Sequence, residues 1–196
     1  MSSAPDEVPL PPYAGITLAS VRLVRTEHDA AEALAALSAM DVIGFDTESK
    51  PTFLKGEVST GPHLIQLATD DMAYLFQIGG GGGAPAMLKT VLESHTILKV
   101  GFGLSDDLKR LSAKLGIDTR NVLDLSTALR KGERNTLGAK TAVARFFGQK
   151  LQKSKKITTT NWAMARLSEK QILYAADDAH VALRIYRRWR LDVPAA

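Results

Sequence analysis

Cysteine is absent from the 196-residue chain. That excludes disulfides, thiolate nucleophiles and thiolate-ligated zinc or iron–sulfur centres together, so any metal has to sit on carboxylates, histidines or carbonyls. No stretch reaches the roughly 18 uninterrupted apolar residues of a membrane span. The opening MSSAPDEVPLPPYAG also lacks the cationic start and apolar core of a secretory signal. The expectation is a cytoplasmic protein with no membrane partner. Two glycine-rich stretches lack what a phosphate cradle needs. The five consecutive glycines Gly79–Gly83 have no following Lys-Ser/Thr, and Gly101-Phe102-Gly103 has no third glycine. The first reads as a flexible loop, and neither reads as a nucleotide-binding motif.

With 45% apolar residues the chain can build one sizeable core. Residues 1–15, rich in Pro and Ser, read as a disordered or loosely docked tail, and 16–196 as one domain. The net charge is only +4. Basic residues nevertheless concentrate between Arg130 and Lys156, with Glu133 the only acid among them. Either that run grips phosphates or it is a solvated loop.

ITLASVRLVRT, DVIGFDTES, HLIQLAT, MAYLFQI, TILKVGF and NVLDLS are strand candidates, rich in branched or apolar residues and bounded by turn-formers. HLIQLAT and MAYLFQI should pair as a hairpin across Thr69-Asp70-Asp71. Helical spacing marks EHDAAEALAALSAM, APAMLKTVLESH, SDDLKRLSAKLG and the long SEKQILYAADDAHVALRIYRRW. Ser105 is the expected N-cap of the third, with Gly116 past its end, and Ser168 with Gln171 forms a capping box for the last. Antiparallel strands followed by alternating strands and helices imply an α/β domain with a mixed sheet covered by helices.

Three features of this pattern do not suit an ordinary core. Asp46 and Glu48 end the apolar run VIGF, which reads as a strand buried on both faces. Side chains two apart on a strand share a face, close enough to ligate one divalent cation, although Asp46 opening a turn would explain it too. On the last helix Asp178 falls inside the apolar arc, with Tyr174 one turn earlier on the same face, while Asp177 falls on the polar arc with His180, Arg184 and Arg188. The pair is either a site or a hydrogen bond that closes a core. Asp106 and Asp107 both suit a helix N-terminus, yet only Asp107 flanks the leucine side of its helix.

VIGFDTESKP, HLIQLAT, KVGFGLSDDLKRL and NWAMARLSEKQILYAADDAHVALRIY resemble, in order, the motifs of the DEDD superfamily of 3′-5′ exonucleases, in its tyrosine-bearing branch. The likeness covers nearly all of the chain beyond the tail and is similar to the exonuclease domains of the Werner-helicase and ribonuclease D type. It implies a ribonuclease-H-like (DnaQ-like) fold with catalytic, metal-ligating acids at Asp46, Glu48, Asp107 and Asp178, and Tyr174 beside the nucleophilic water. Leu173 stands where the histidine-bearing branch would place its histidine. The implied cofactors are two divalent ions, Mg²⁺ or Mn²⁺, and the implied partner is a DNA or RNA strand with a 3′ end. Lys109 departs from the Werner-type pattern, which carries an aromatic there, and is a candidate phosphate contact. Lys153, Lys155 and Lys156 are further candidates, and Trp162 either stacks on a base or packs beneath the basic loop. The rival functions are a nucleic-acid-binding module that no longer cuts and a phosphoesterase acting on small nucleotides.

Overall fold

The hairpin forms where expected, because Thr69 closes its own turn: its amide donates to the Met72 carbonyl at 2.8 Å and its hydroxyl accepts from the Met72 amide at 3.1 Å. This hairpin sits in the middle of a six-stranded sheet in the computed structural model, which describes residues 9–79, 84–130 and 135–192. The strands are β1 (Val21–Val24), β2 (Val42–Glu48), β3 (Leu64–Ala68), β4 (Ala73–Gln77), β5 (Leu98–Gly101) and β6 (Val122–Asp124), in the order β1-β4-β3-β2-β5-β6. β3 pairs antiparallel with both β2 and β4, whereas β1 joins β4, and β5 and β6 follow β2, in parallel. The mixed α/β architecture read from the sequence is therefore the observed one.

Helices cover both faces. α1 (Glu27–Ser38), α2 (Ala84–Leu92) and α3 (Ser105–Leu115) bury Leu37, Leu88, Leu92 and Leu111 against Ile43, Phe45, Ile65 and Phe76. The opposite face is covered by α7 (Glu169–Asp192), with α4 (Leu125–Ala128), α5 (Ala139–Phe147) and α6 (Lys155–Thr158) beside it. α7 begins at the expected capping box, Ser168 and Gln171 exchanging hydrogen bonds. No helix among the described residues is long and apolar enough to cross a membrane.

Two contacts fix α7 against β2. Near its C-terminal end the Arg187 guanidinium bridges Asp41, which precedes β2, at 2.7 Å, and Asp70 in the hairpin turn at 3.2 Å. Further along, a side chain on Gly44 would overlap the carbonyl oxygen of Ala179, so β2 and α7 meet there backbone to backbone.

Three expectations need correction. Residues 9–15 are not a loose tail. Tyr13 is buried, its amide donates to the Lys150 carbonyl at 3.0 Å, and the Lys150 amide donates to Pro11 at 2.8 Å. The Arg184 guanidinium stacks between the Tyr13 and Phe147 rings, 5.3 Å from each centroid. Second, the N-cap of α3 is Leu104, with no side-chain cap, and Ser105 is the first helical residue. Third, part of the basic run is the amphipathic α5, whose Ala139, Ala142 and Val143 are buried, and not a solvated loop. Lys131 and Arg134, like Gly80–Gly83, lie outside the described residues.

The backbone contact at Gly44 yields a test of how α7 is seated. Gly44→Ala should destabilise the protein by about 1–3 kcal/mol, read as a lower thermal midpoint, because the added methyl forces α7 off the sheet. An unchanged midpoint would mean that the two elements have room between them.

Candidate active site

Side chains alternate along β2. Ile43 and Phe45 enter the core under α1–α3, which leaves Gly44, Asp46 and Glu48 facing α7. On α7 the tight seat at Ala179 brings Asp178, only 7% exposed, and Tyr174 over the end of β2. Asp107 comes from the first turn of α3, directly after β5, and accepts a hydrogen bond from Thr47 at 2.5 Å. The site thus lies at the carboxyl ends of the adjacent parallel strands β2 and β5, the usual place for ligands in such sheets. All five residues named from the motifs converge there.

The electrostatics show how crowded this place is. Burial, then the charges of Asp178 and Asp107, push Asp46 well above the usual carboxylate range. Burial, then Asp46 and Asp178, raise Glu48 to about 9. Burial also raises Asp107, with Thr47 and Arg110 opposing it, the Arg110 guanidinium standing 3.8 Å away. Burial raises Asp178 in the same way, and the neighbouring Lys153 opposes that shift. The Lys153 ammonium lies 2.7 Å from the Asp178 carboxylate. Tyr174 is raised to about 12 by burial, then by Asp178, and its hydroxyl shares a 2.9 Å hydrogen bond with Thr158.

Not every expected residue joins the site. Lys109 is exposed and pairs with Asp106 at 3.2 Å on the outer side of α3. Trp162 is 1% exposed, packed with Leu64, Leu75 and Ala176, and its indole donates to the Thr158 carbonyl, so no ring face is free for a base. Lys155 and Lys156 are exposed on α6, the short helix whose Thr158 bonds Tyr174. Lys153, expected on a phosphate-binding surface, points inward to the acids. Asp106 is on the surface as expected, but Asp177 is not: it is half-buried and accepts from the Ile16 amide at 3.2 Å, holding the N-terminal segment on α7. His180 is likewise buried, on the Asp70 carbonyl.

Sequence reading missed Gln66. It lies directly opposite Asp46 in the β2–β3 register, on the same face, fully buried, with neither amide atom hydrogen-bonded. A buried amide left open beside a cluster of acids suits a place where an ion and its waters complete the hydrogen bonding. The donor set is all oxygen, the chemistry of Mg²⁺ or Mn²⁺ sites. Among the described residues no three acids stand placed to hold a metal ion as they are, and Asp178 is paired with Lys153 and Asp107 with Thr47. The residues fit such an ion in kind and charge, and closing on it needs side-chain rotation.

Residues 21–193 match the 3′-5′ exonuclease family. The mouse bifunctional 3′-5′ exonuclease/ATP-dependent helicase WRN is 31% identical over 154 residues, 78% of this chain and 11% of that protein. An Arabidopsis thaliana 3′-5′ exonuclease is 28% identical over 165 residues, 81% of this chain and 56% of that protein. The chain therefore spans little more than half, or far less, of these relatives. The Nibbler EXO domain of Aedes aegypti superposes with a TM-score of 0.76 at 27% identity, covering 90% of this chain and 89% of that one. RNase D of Escherichia coli superposes at 0.74 with 25% identity, covering 88% of this chain and 44% of that one.

The raised Glu48 carboxyl makes a prediction about stability. Its folded form keeps a proton from the ordinary 4.5 up to about 9, while the unfolded chain gives it up. More protons are then bound in the folded state, so stability falls as pH rises through that window. In the presence of chelator, Glu48→Gln should flatten the fall and melt higher than the wild type at about pH 8, with little difference at about pH 4. Parallel melting profiles would mean that Glu48 is not held among like charges.

Proposed function

The chain belongs to the 3′-5′ exonuclease family, and from that premise we propose that it hydrolyses nucleic-acid strands stepwise from the 3′ end, releasing nucleoside 5′-monophosphates. The observation that carries this reading is the convergence of Asp46, Glu48, Asp107 and Asp178, each with a raised carboxyl, beside the phenol of Tyr174.

Asp46, Glu48 and Asp178 would hold one divalent ion, Mg²⁺ or Mn²⁺, and Asp107 with Asp46 would support a second. Such ions supply Lewis-acid stabilisation of phosphoryl oxygens and a more acidic water. Tyr174 keeps its proton at neutral pH, because burial and Asp178 raise it to about 12. It therefore orients the attacking water by hydrogen bonding and does not deprotonate it. Its hydroxyl shares a hydrogen bond with Thr158 and, as both donor and acceptor, keeps the capacity to bond that water too. Gln66, opposite Asp46, is placed to receive a hydrogen bond from a water in the site. The exposed Lys155 and Lys156 on α6 suit contacts to the phosphates of a polymer.

The test uses Mg²⁺ with end-labelled DNA, RNA and dinucleotides. A ladder shortening from the 3′ end on either polymer is expected. Asp178→Asn should be nearly inactive and Asp177→Asn close to wild type, since an asparagine can still accept from Ile16. Tyr174→Phe should lose on the order of ten- to a thousandfold in turnover with nucleic-acid binding unchanged. Cleavage of dinucleotides alone would identify a phosphoesterase of small nucleotides. Binding without cleavage would identify a silent module, and full activity in Asp178→Asn would remove Asp178 from the chemistry.

A further inference from the structure

Lys153 is delivered to the acids from a segment anchored at both ends. Before it, Lys150 pairs with the Pro11–Tyr13 segment and Leu151 is buried. After it, Ile157 packs against the cluster under α7, and Thr158 is tied to Tyr174 through its hydroxyl and to Trp162 through its carbonyl. Between these anchors the Lys153 ammonium rests 2.7 Å from Asp178 and 5.7 Å from the centre of the Tyr174 ring.

We propose that Lys153 is the resident counter-ion of the acid cluster, which an entering divalent cation must displace from Asp178, and that it thereby sets the cation concentration at which the site fills. The inference rests on the metal-dependent reading above. It follows from the competition for one group of lone pairs: the Asp178 oxygen that accepts the ammonium at 2.7 Å is one a cation would need. Burial acts to lower the Lys153 value, yet the charge and hydrogen bond of Asp178, then Tyr174 and Asp46, carry it above the ordinary lysine range. A lysine ammonium is charged at neutral pH, and at 2.7 Å from Asp178 it stands where it opposes an incoming cation. Only Lys153 and Arg110 among the described residues pair with the four acids, so Asp46 and Glu48 have no basic partner for a divalent ion to displace.

The segment that carries Lys153 also contacts Tyr174. Lys153 and Thr158 lie five residues apart on one short segment and hold Asp178 and Tyr174, one helical turn apart on α7.

The experiment titrates the chelator-treated protein with Mn²⁺ in the absence of nucleic acid, by calorimetry and by the paramagnetic signal of free Mn²⁺. Removing a positive charge at this distance should tighten Mn²⁺ binding by about tenfold or more in Lys153→Met, with Lys153→Arg remaining near wild type. The rise in melting temperature on Mn²⁺ saturation should be larger in Lys153→Met, because its metal-free form has lost the counter-ion. Should Lys153→Met not fold, Lys153→Gln replaces it. In the wild type, the Lys153 side-chain NMR resonance should also move in step with Mg²⁺ occupancy. Equal or weaker Mn²⁺ binding in the neutral variants, or a resonance that stays in place while Mg²⁺ binds, overturns this proposal alone. No uptake by the wild type overturns the metal-dependent reading itself.

Discussion

The seat of α7 on β2 governs the rest of the molecule. At Gly44 and Ala179 the two backbones meet with no side chain between them. Arg187 locks the same helix to Asp41 and Asp70 at the other end of the contact. Because Asp46 and Glu48 lie two and four residues beyond Gly44 on the same face, and Asp178 immediately precedes Ala179, this close approach forces the carboxylates into one another's field. An alanine in place of Gly44 would separate them, and the site would lose its defining feature before any acid was changed. The packing of α7 on β2 therefore brings Asp46, Glu48 and Asp178 together.

The arrangement runs against stability. Burial, and then the like charges of Asp178 and Asp107, raise the Asp46 carboxyl well above its ordinary range. Two large apolar layers and a six-stranded sheet oppose this cost. So do local devices: Thr47 and Arg110 on Asp107, and Lys153 on Asp178. These partners hold the acids in place as a set of replaceable contacts. Such a site can be stable enough to fold and still favour the arrival of positive charge, because each device is weaker than direct ligation of a divalent ion.

Local patterning made much of this legible. β2 and the β3–β4 hairpin stand out as short branched or apolar runs, and α7 as a 24-residue helix with a wheel on which Tyr174 and Asp178 are the anomalies. The choice of Asp107 over Asp106 also followed from the wheel, because α3 is amphipathic from its first turn. What escaped is long-range. Asp177 lies on the polar arc of the wheel, yet residue 16 folds back across 161 positions to cover it, and no helix wheel includes a neighbour from another segment. Lys153 escaped for a similar reason, while of the two readings of Trp162, stacking on a base or packing, the structure shows packing. Composition marks a tryptophan near lysines as a surface for nucleic acid, whereas packing against Leu64 and Ala176 takes the ring into the core, and the acid cluster turns the lysine inward. Gln66 was hidden inside an ordinary strand pattern, since its role comes from the residue across the sheet.

Crystals soaked in Mn²⁺ would test the central claim, that α7 and β2 create a site for divalent cations out of mutually repelling acids. The account predicts an anomalous difference peak coordinated by Asp46, Glu48 and Asp178, with the Lys153 ammonium withdrawn from Asp178. A peak elsewhere on the protein, or none among these acids at Mn²⁺ concentrations that support cleavage, would contradict it.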